Sequence, residues 1–199
     1  MEIISSKRTK DNIISVLKNE ILKGNIKEGD ELSQDTLASA LGVSRMPIRE
    51  ALLELEKEGV LTRLPNRHMC VASLKDRNKT ALCLARGFEI ELSISLITDN
   101  RDLTLLYKSF ENLFLNPSIE KELALHSFIF SLCPIECMAV FGNNIVSFSL
   151  TKLLSDNLNQ QSNRIIILNV VLKSLLKKDK KNLISAWVDY YTTLGVEPY

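Results

Sequence analysis

Two pairs of side chains, each four residues apart, carry most of the chemistry this chain can offer. Arg45 and Arg49 form the first, with Ser44 and Met46 beside them, and Glu122 and His126 form the second. On a helix, that spacing puts both members of a pair on one face. A guanidinium can bond two acceptors at once, which suits a phosphate or the exposed edge of a guanine. A carboxylate beside an imidazole has wider uses: it can share a metal, line a polar pocket, or satisfy the histidine within a core. A third set, Asn66, Arg67 and His68, stands between two short apolar runs, where a turn would hold it out to solvent.

The arginine pair needs a helix that begins just before it. Gly42 can take the left-handed conformation of a sharp turn, and Ser44 is expected to cap the new helix through its side chain. Pro47 then falls in the first turn, where its missing N–H has no helical partner to lose. Ile48, Ala51, Leu52 and Leu55 recur at helical spacing as a buried stripe, leaving Arg45, Met46 and Arg49 on another face. The acidic residues of this helix are displaced to Glu50, Glu54, Glu56 and Glu58, so its first turn stays basic. A helix that meets the major groove of DNA presents such a face.

Upstream, Ile13, Ile14, Leu17 and Ile21 mark an amphipathic helix over residues 9–23, stopped by Gly24. A loop leads to a short strand at Glu31-Leu32, and Ser33 caps a second helix whose Leu37, Ala38 and Leu41 permit close packing. After Gly59 the pattern turns extended, with strands expected over residues 60–64 and 69–74 joined by a turn at Pro65-Asn66-Arg67-His68. Arg67 at such a tip would be drawn to the sugar-phosphate backbone or the minor groove. His68 reads equally well as a DNA contact or as an exposed loop histidine.

The chain has 199 residues, 45% of them hydrophobic, and a net charge of +1. Residues 1–75 hold 12 Lys and Arg against 11 Asp and Glu, and the remainder 13 against 13, so a DNA partner rests on where charges lie rather than on their sum. Residues 1–11 are polar, unlike a signal peptide, and no uncharged apolar run reaches the length of a membrane span; a cytoplasmic protein is expected. Cys70, Cys83, Cys133 and Cys137 form no CxxC pair, which favours reduced core cysteines over a zinc site. Residues 75–80 read as a charged connector between domains at 1–74 and 81–199. Beyond it, helices are expected at 82–98, 103–115, 120–132, 145–158, 165–176 and 181–192, separated by breakers that include Pro134, Gly142-Asn143-Asn144 and Asp179. The fold class is therefore mainly α: a winged helix-turn-helix, three helices with a small β wing, followed by an all-α bundle.

Residues 13–74 resemble the winged-helix domain of the GntR family of bacterial transcription regulators. The resemblance is carried by Glu20-Ile21-Leu22-Lys23-Gly24, Glu28-Gly29-Asp30-Glu31-Leu32, Leu37-Ala38, the run from Leu41 to Leu52, Leu55, Glu58-Gly59 and Pro65-Asn66-Arg67. Glu28 stands where the family usually has proline, and His68 where it usually has glycine. The resemblance implies a homodimeric regulator that binds double-stranded operator DNA through Ser44, Arg45, Met46, Arg49 and the wing residues Asn66, Arg67 and His68. The helical half is similar to a short FCD-type effector domain, nearer the vanillate-repressor than the fatty-acid-regulator type, on the strength of Arg86 with Glu89, the run Glu122-Leu123-Ala124-Leu125-His126 and Gly142-Asn143-Asn144.

Many such domains hold a divalent metal through an Asp-x-x-x-His pair and two later histidines, and the metal then holds a carboxylate effector. Here that pair becomes Glu122 and His126, and the other two positions fall near Leu168 and Tyr190. His68 is the only other histidine, so no metal and no other cofactor is expected. Arg86, Glu122 and His126 are then candidates for a metal-free effector pocket, with a satisfied structural histidine as the plainer reading. A helical half that serves only dimerisation or partner binding is the alternative function. A metabolite-converting enzyme using Glu122 and His126 is remote, because no third group orients the histidine and no oxyanion donor or phosphate-binding glycine loop is evident.

Overall fold

The computed structural model describes residues 6–66, 68–72, 75–99 and 102–197. The chain divides into two compact units, Met1–Lys75 and Asp76–Tyr199.

In the first unit, α1 (Ser6–Leu22) is followed by β1 (Glu31–Leu32), α2 (Gln34–Leu41), α3 (Arg45–Lys57), β2 (Leu61–Arg63) and β3 (Met69–Val71). The strands form an antiparallel sheet in the order β1-β3-β2, with Leu32 opposite Met69 and Leu61 opposite Val71. The stripe expected on α3 is buried, and it packs on Ile13, Leu17 and Ile21 of α1. Ser33 caps α2 by accepting from the Thr36 amide at 3.4 Å. Gly42 takes φ 65° and its N–H returns to the Ala38 carbonyl. Ser44 sits at the N-cap of α3, yet its side chain makes no capping bond. Pro47 explains this difference: it occupies the third helical position, whose amide is one of the two an N-cap oxygen can bond, and proline has none to offer. Leu37, Ala38 and Leu41 are only half-buried, so α2 packs on α3 with a shallow face.

The second unit comprises α4 (Lys75–Thr98), α5 (Thr104–Leu115), α6 (Ile119–Ser131), α7 (Glu136–Ile145), a π turn at Val146–Leu150, α8 (Thr151–Asp156), a 3₁₀ turn at Leu158–Gln160, α9 (Gln161–Leu176) and α10 (Lys180–Thr192). Leu82, Phe110, Phe130, Leu154, Leu168 and Trp187 lie in its continuous apolar core. Residues 75–80 are helical, the opening turns of α4, because the segment has charge but no glycine or proline to interrupt a helix. Asp179 separates α9 from α10 by capping the latter, accepting from the Asn182 amide at 3.1 Å.

Gly142-Asn143-Asn144 does not break the chain; it lies inside α7, a helix that the sequence reading omitted. Gly142 is buried with its α-carbon against the Phe130 ring, and a Cβ there would collide with three ring atoms. The glycine serves the approach of α7 to α6 rather than a turn. With α7, the π turn and α8 in continuity, the run Glu136–Asp156 is long and apolar enough, by length and composition alone, to cross a membrane. Asn143, Asn144 and Lys152 interrupt the apolar run within it. Its Ile145, Val146, Phe148, Leu150 and Leu154 are buried in this unit.

Gly142→Ala is expected to lower stability by about 1–3 kcal/mol through overpacking against Phe130. Urea unfolding of the variant beside the parent checks this, and an unchanged midpoint would mean that the α6–α7 contact has room to spare.

Candidate nucleic-acid interface and interior polar cluster

The start of α3 holds Ser44, Arg45, Met46 and Arg49 together at the surface, all exposed, Met46 at 63%. Arg45 Nε forms an ion pair with Asp35 Oδ1 of α2 at 2.5 Å. Both side chains are well exposed, so the pair is worth at most about 1 kcal/mol and is readily exchanged. Arg49 has no ion-pair or hydrogen-bond partner among the described residues.

The wing is held by three contacts. The Leu64 amide donates to the His68 carbonyl at 2.8 Å, closing the hairpin, and the His68 amide donates to Asn66 Oδ1 at 3.0 Å. Asn66 therefore shapes the turn with the oxygen that could otherwise face outward. His68 Nδ1 lies 3.0 Å from Glu31 Oε2, which draws its ring toward β1. Arg67 lies outside the described residues. At the base of the wing, Arg63 Nε and Nη2 grip both oxygens of Glu56 on α3 at 3.0 and 2.7 Å. That hydrogen bonding holds the Glu56 carboxyl below the usual carboxylate range and raises the Arg63 guanidinium above its own. The tie is thus present above the carboxylate range and is lost as pH falls through the lowered value of Glu56.

Inside the second unit, α4, α6, α9 and α10 converge on one polar cluster. His126 Nδ1 is 2.5 Å from Glu89 Oε1, and its Nε2 is 2.7 Å from the Tyr190 hydroxyl. Tyr190 donates to Glu122 Oε1 at 2.8 Å, and Tyr191 donates to Glu89 Oε2 at 2.8 Å. Arg164 Nε and Nη2 donate to the two oxygens of Glu122 at 2.7 and 3.3 Å, while its Nη1 donates to the Asn157 carbonyl at 2.8 Å. Glu89, Glu122, His126, Arg164, Tyr190 and Tyr191 are all fully buried, and no buried polar side-chain atom among the described residues lacks a partner.

Three contacts in series, from Glu89 through His126 and Tyr190 to Glu122, require three protons. The phenol gives its single proton to Glu122, so Nε2 supplies the second contact, and the Glu89–His126 pair holds one more between carboxylate and Nδ1. Burial, with Glu122 beside it, pushes the Tyr190 phenol well above its usual range, and burial with Glu89 does the same for Tyr191. Both therefore act as fixed donors.

The structure thus brings Glu122 and His126 together through Tyr190, while Arg86, whose charge acts on Tyr191, donates from its Nη1 to the Glu197 carbonyl at 2.9 Å. The donor set does not fit a divalent metal. Both ring nitrogens of His126 and both oxygens of Glu122 are engaged, Leu168 is apolar, and the Tyr190 hydroxyl donates. Among the described residues no three His, Cys, Asp or Glu side chains gather closely enough to hold a metal ion.

Glu89, Arg164 and Tyr191 were not picked out as site residues from the sequence. Arg164 had a visible signal, as the one charge preceding the apolar run Ile165-Ile166-Ile167-Leu168. Of the cysteines, which are all free, Cys70 is buried, Cys83 and Cys133 are half-buried and Cys137 is exposed, so the core reading does not extend to Cys137. Along α4 runs an open, mostly apolar groove of about 600 Å³, whose lining includes Leu84, Phe88, Leu92 and Pro134 together with Glu91 and Asp99.

Tyr190→Phe is expected to cost about 1–3 kcal/mol, since it leaves buried groups of His126 and Glu122 without that partner. Unfolding in urea reads the loss directly; no loss would mean that the hydroxyl does not bridge them.

Comparison with known proteins gives a consistent picture. Residues 9–71 match the family described as "Bacterial regulatory proteins, gntR family". An HTH-type transcriptional regulator of uncharacterised function from Bacillus subtilis (strain 168), YdhC, is 33% identical over 114 residues, covering 56% of this chain and 47% of that one. The chain thus matches about half the length of that relative. Among solved structures, E. coli McbR/YncC shares 20% identity with a TM-score of 0.62 over 92% of this chain and 93% of its own. A protein described as a transcriptional regulator GntR from Rhodococcus sp. RHA1 shares 17% identity with a TM-score of 0.68 over 96% and 100%. At these identities the two structures speak for the fold: an amino-terminal winged helix-turn-helix and a helical carboxy-terminal domain.

Proposed function

We infer that this chain, a GntR-family helix-turn-helix protein through its residues 9–71, regulates transcription by binding a pseudo-palindromic operator as a homodimer. The observation that carries the reading is the cluster of Ser44, Arg45, Met46 and Arg49 at the exposed start of α3. Two copies would offer two such helices to successive major grooves, about 34 Å apart or a multiple of that. Asn66, Arg67 and His68 would add contacts from the wing to the backbone or minor groove. The Bacillus subtilis and Rhodococcus proteins it matches are named as transcriptional regulators, and the helical domain is read as a short FCD type from the resemblance of its sequence. The site of action is the cytoplasm, where the free thiols stay reduced.

Dimerisation is assigned to the helical unit. Its α4 groove is open and mostly apolar, and Leu84 within it is 51% exposed. A small-molecule effector in this unit would alter DNA affinity only by favouring one arrangement of the two winged helices over another. The second reading, a helical unit that serves dimerisation alone, is favoured by the interior cluster, where Arg86, Glu122 and His126 already have partners within the protein.

Arg45→Ala and Arg49→Ala are each expected to lose about 1–3 kcal/mol of discrimination between operator and random DNA. Selection from a random duplex pool supplies the operator, and fluorescence anisotropy against a scrambled duplex measures the ratio. Full discrimination in both variants would remove α3 as the reading helix. Leu84→Glu is expected to shift the protein to monomer in analytical ultracentrifugation and to weaken operator binding with it; a dimer of parental strength would place the interface elsewhere.

A further inference from the structure

We propose that Arg164 is the resident cation at Glu122, so that the helical unit folds and stays assembled with no divalent metal. The inference is independent of the DNA-binding reading.

A carboxylate with no solvent exposure needs a positive partner, and Glu122 is such a carboxylate. A bound metal or a protein cation could supply the charge. Arg164 supplies it in a forked arrangement, two N–H groups reaching the two carboxylate oxygens at 2.7 and 3.3 Å. A third N–H is anchored on the Asn157 carbonyl, which fixes the plane of the guanidinium. Tyr190 then occupies a further acceptor site on Oε1. A divalent ion entering here would have to displace Arg164 or sit beside its charge in a dry interior. Arginine cannot make way by losing a proton, as a histidine or lysine could. The nearest histidine offers no lone pair, because both of its nitrogens are already bonded to Glu89 and Tyr190. The same guanidinium links α6, through Glu122, to the segment before α9, through Asn157, a joining role that metal ligands on separate helices otherwise fulfil.

The test begins with full-length protein purified without affinity metal. Elemental analysis is expected to find no stoichiometric metal, and EDTA, Zn²⁺, Ni²⁺ or Mn²⁺ to leave the melting temperature unchanged. Arg164→Ala is expected to lower that temperature by roughly 10 °C or more, because Glu122 is left buried without a countercharge. Low-millimolar methylguanidinium should recover part of the loss, whereas equal methylammonium or urea should not. A metal bound stoichiometrically to the parent, a fall in its melting temperature with EDTA, or an Arg164→Ala variant as stable as the parent would each overturn the proposal. So would a loss of stability that methylguanidinium leaves untouched. If Arg164→Ala does not fold, the double variant Glu122→Gln with Arg164→Met, which removes both charges together, takes its place. Its folding while Arg164→Met alone fails supports the pairing, and failure of both overturns it.

Discussion

A carboxylate cannot be left in a protein interior without an answering charge, and the helical unit is arranged around meeting that demand at Glu122. Arg164 answers with charge, Tyr190 with a hydrogen bond, and His126 and Glu89 extend the chain of partners to α4. Each link is made by a different helix, so the cluster fixes how α4, α6, α9 and α10 face one another, which an apolar core of Leu, Ile and Phe specifies only loosely. The arrangement also explains why Tyr190 and Tyr191 are adjacent: one phenol serves Glu122 and the next serves Glu89, from one turn of α10.

The winged unit uses charge differently. Its ion pairs lie at the surface, where water screens them, and they orient parts rather than hold the fold together. Arg63 ties β2 to α3 through Glu56, which keeps the wing in register with the helix beside it. Lys18 and Glu58, both partly shielded, join α1 to the end of α3. The strength of the unit comes from Ile48, Ala51, Leu52 and Leu55 against α1, and the polar contacts set the attitude of what is presented outside.

What was legible in the sequence follows from how local each signal is. The α3 stripe, the turn at Gly42, the Ser33 cap and the short strand at Glu31-Leu32 depend on neighbours within a few residues, and the structure has them all. The missing Ser44 cap was written there as well, in Pro47, but asked for a count of donors rather than a residue preference. Gly142 misled because a glycine beside two asparagines has the look of a turn, and only the Phe130 ring, twelve residues earlier and on another helix, reveals its use. Glu122 and His126 were visible as a pair. The family resemblance pointed to the position of Tyr190, but as a metal ligand; Glu89 and Arg164 were not identified as partners, since 37 and 42 residues separate them from the side chains they bond.

The π turn at Val146–Leu150 works as a phase shifter in a helical run that would otherwise turn the wrong side inward. An α-helix advances about 100° per residue, so one extra residue within a turn rotates all that follows by about that much. Before the turn, Gly142 and Ile145 face the core; Val146, Phe148 and Leu150 are buried within it, and after it Leu154 is, while Leu153 is only half-buried. Thr151 returns both its amide and its hydroxyl to the Val146 carbonyl, five residues back, the spacing that defines the widened turn. The chain thereby carries an odd residue in mid-helix, and beyond α8 Asn157 offers its carbonyl to Arg164.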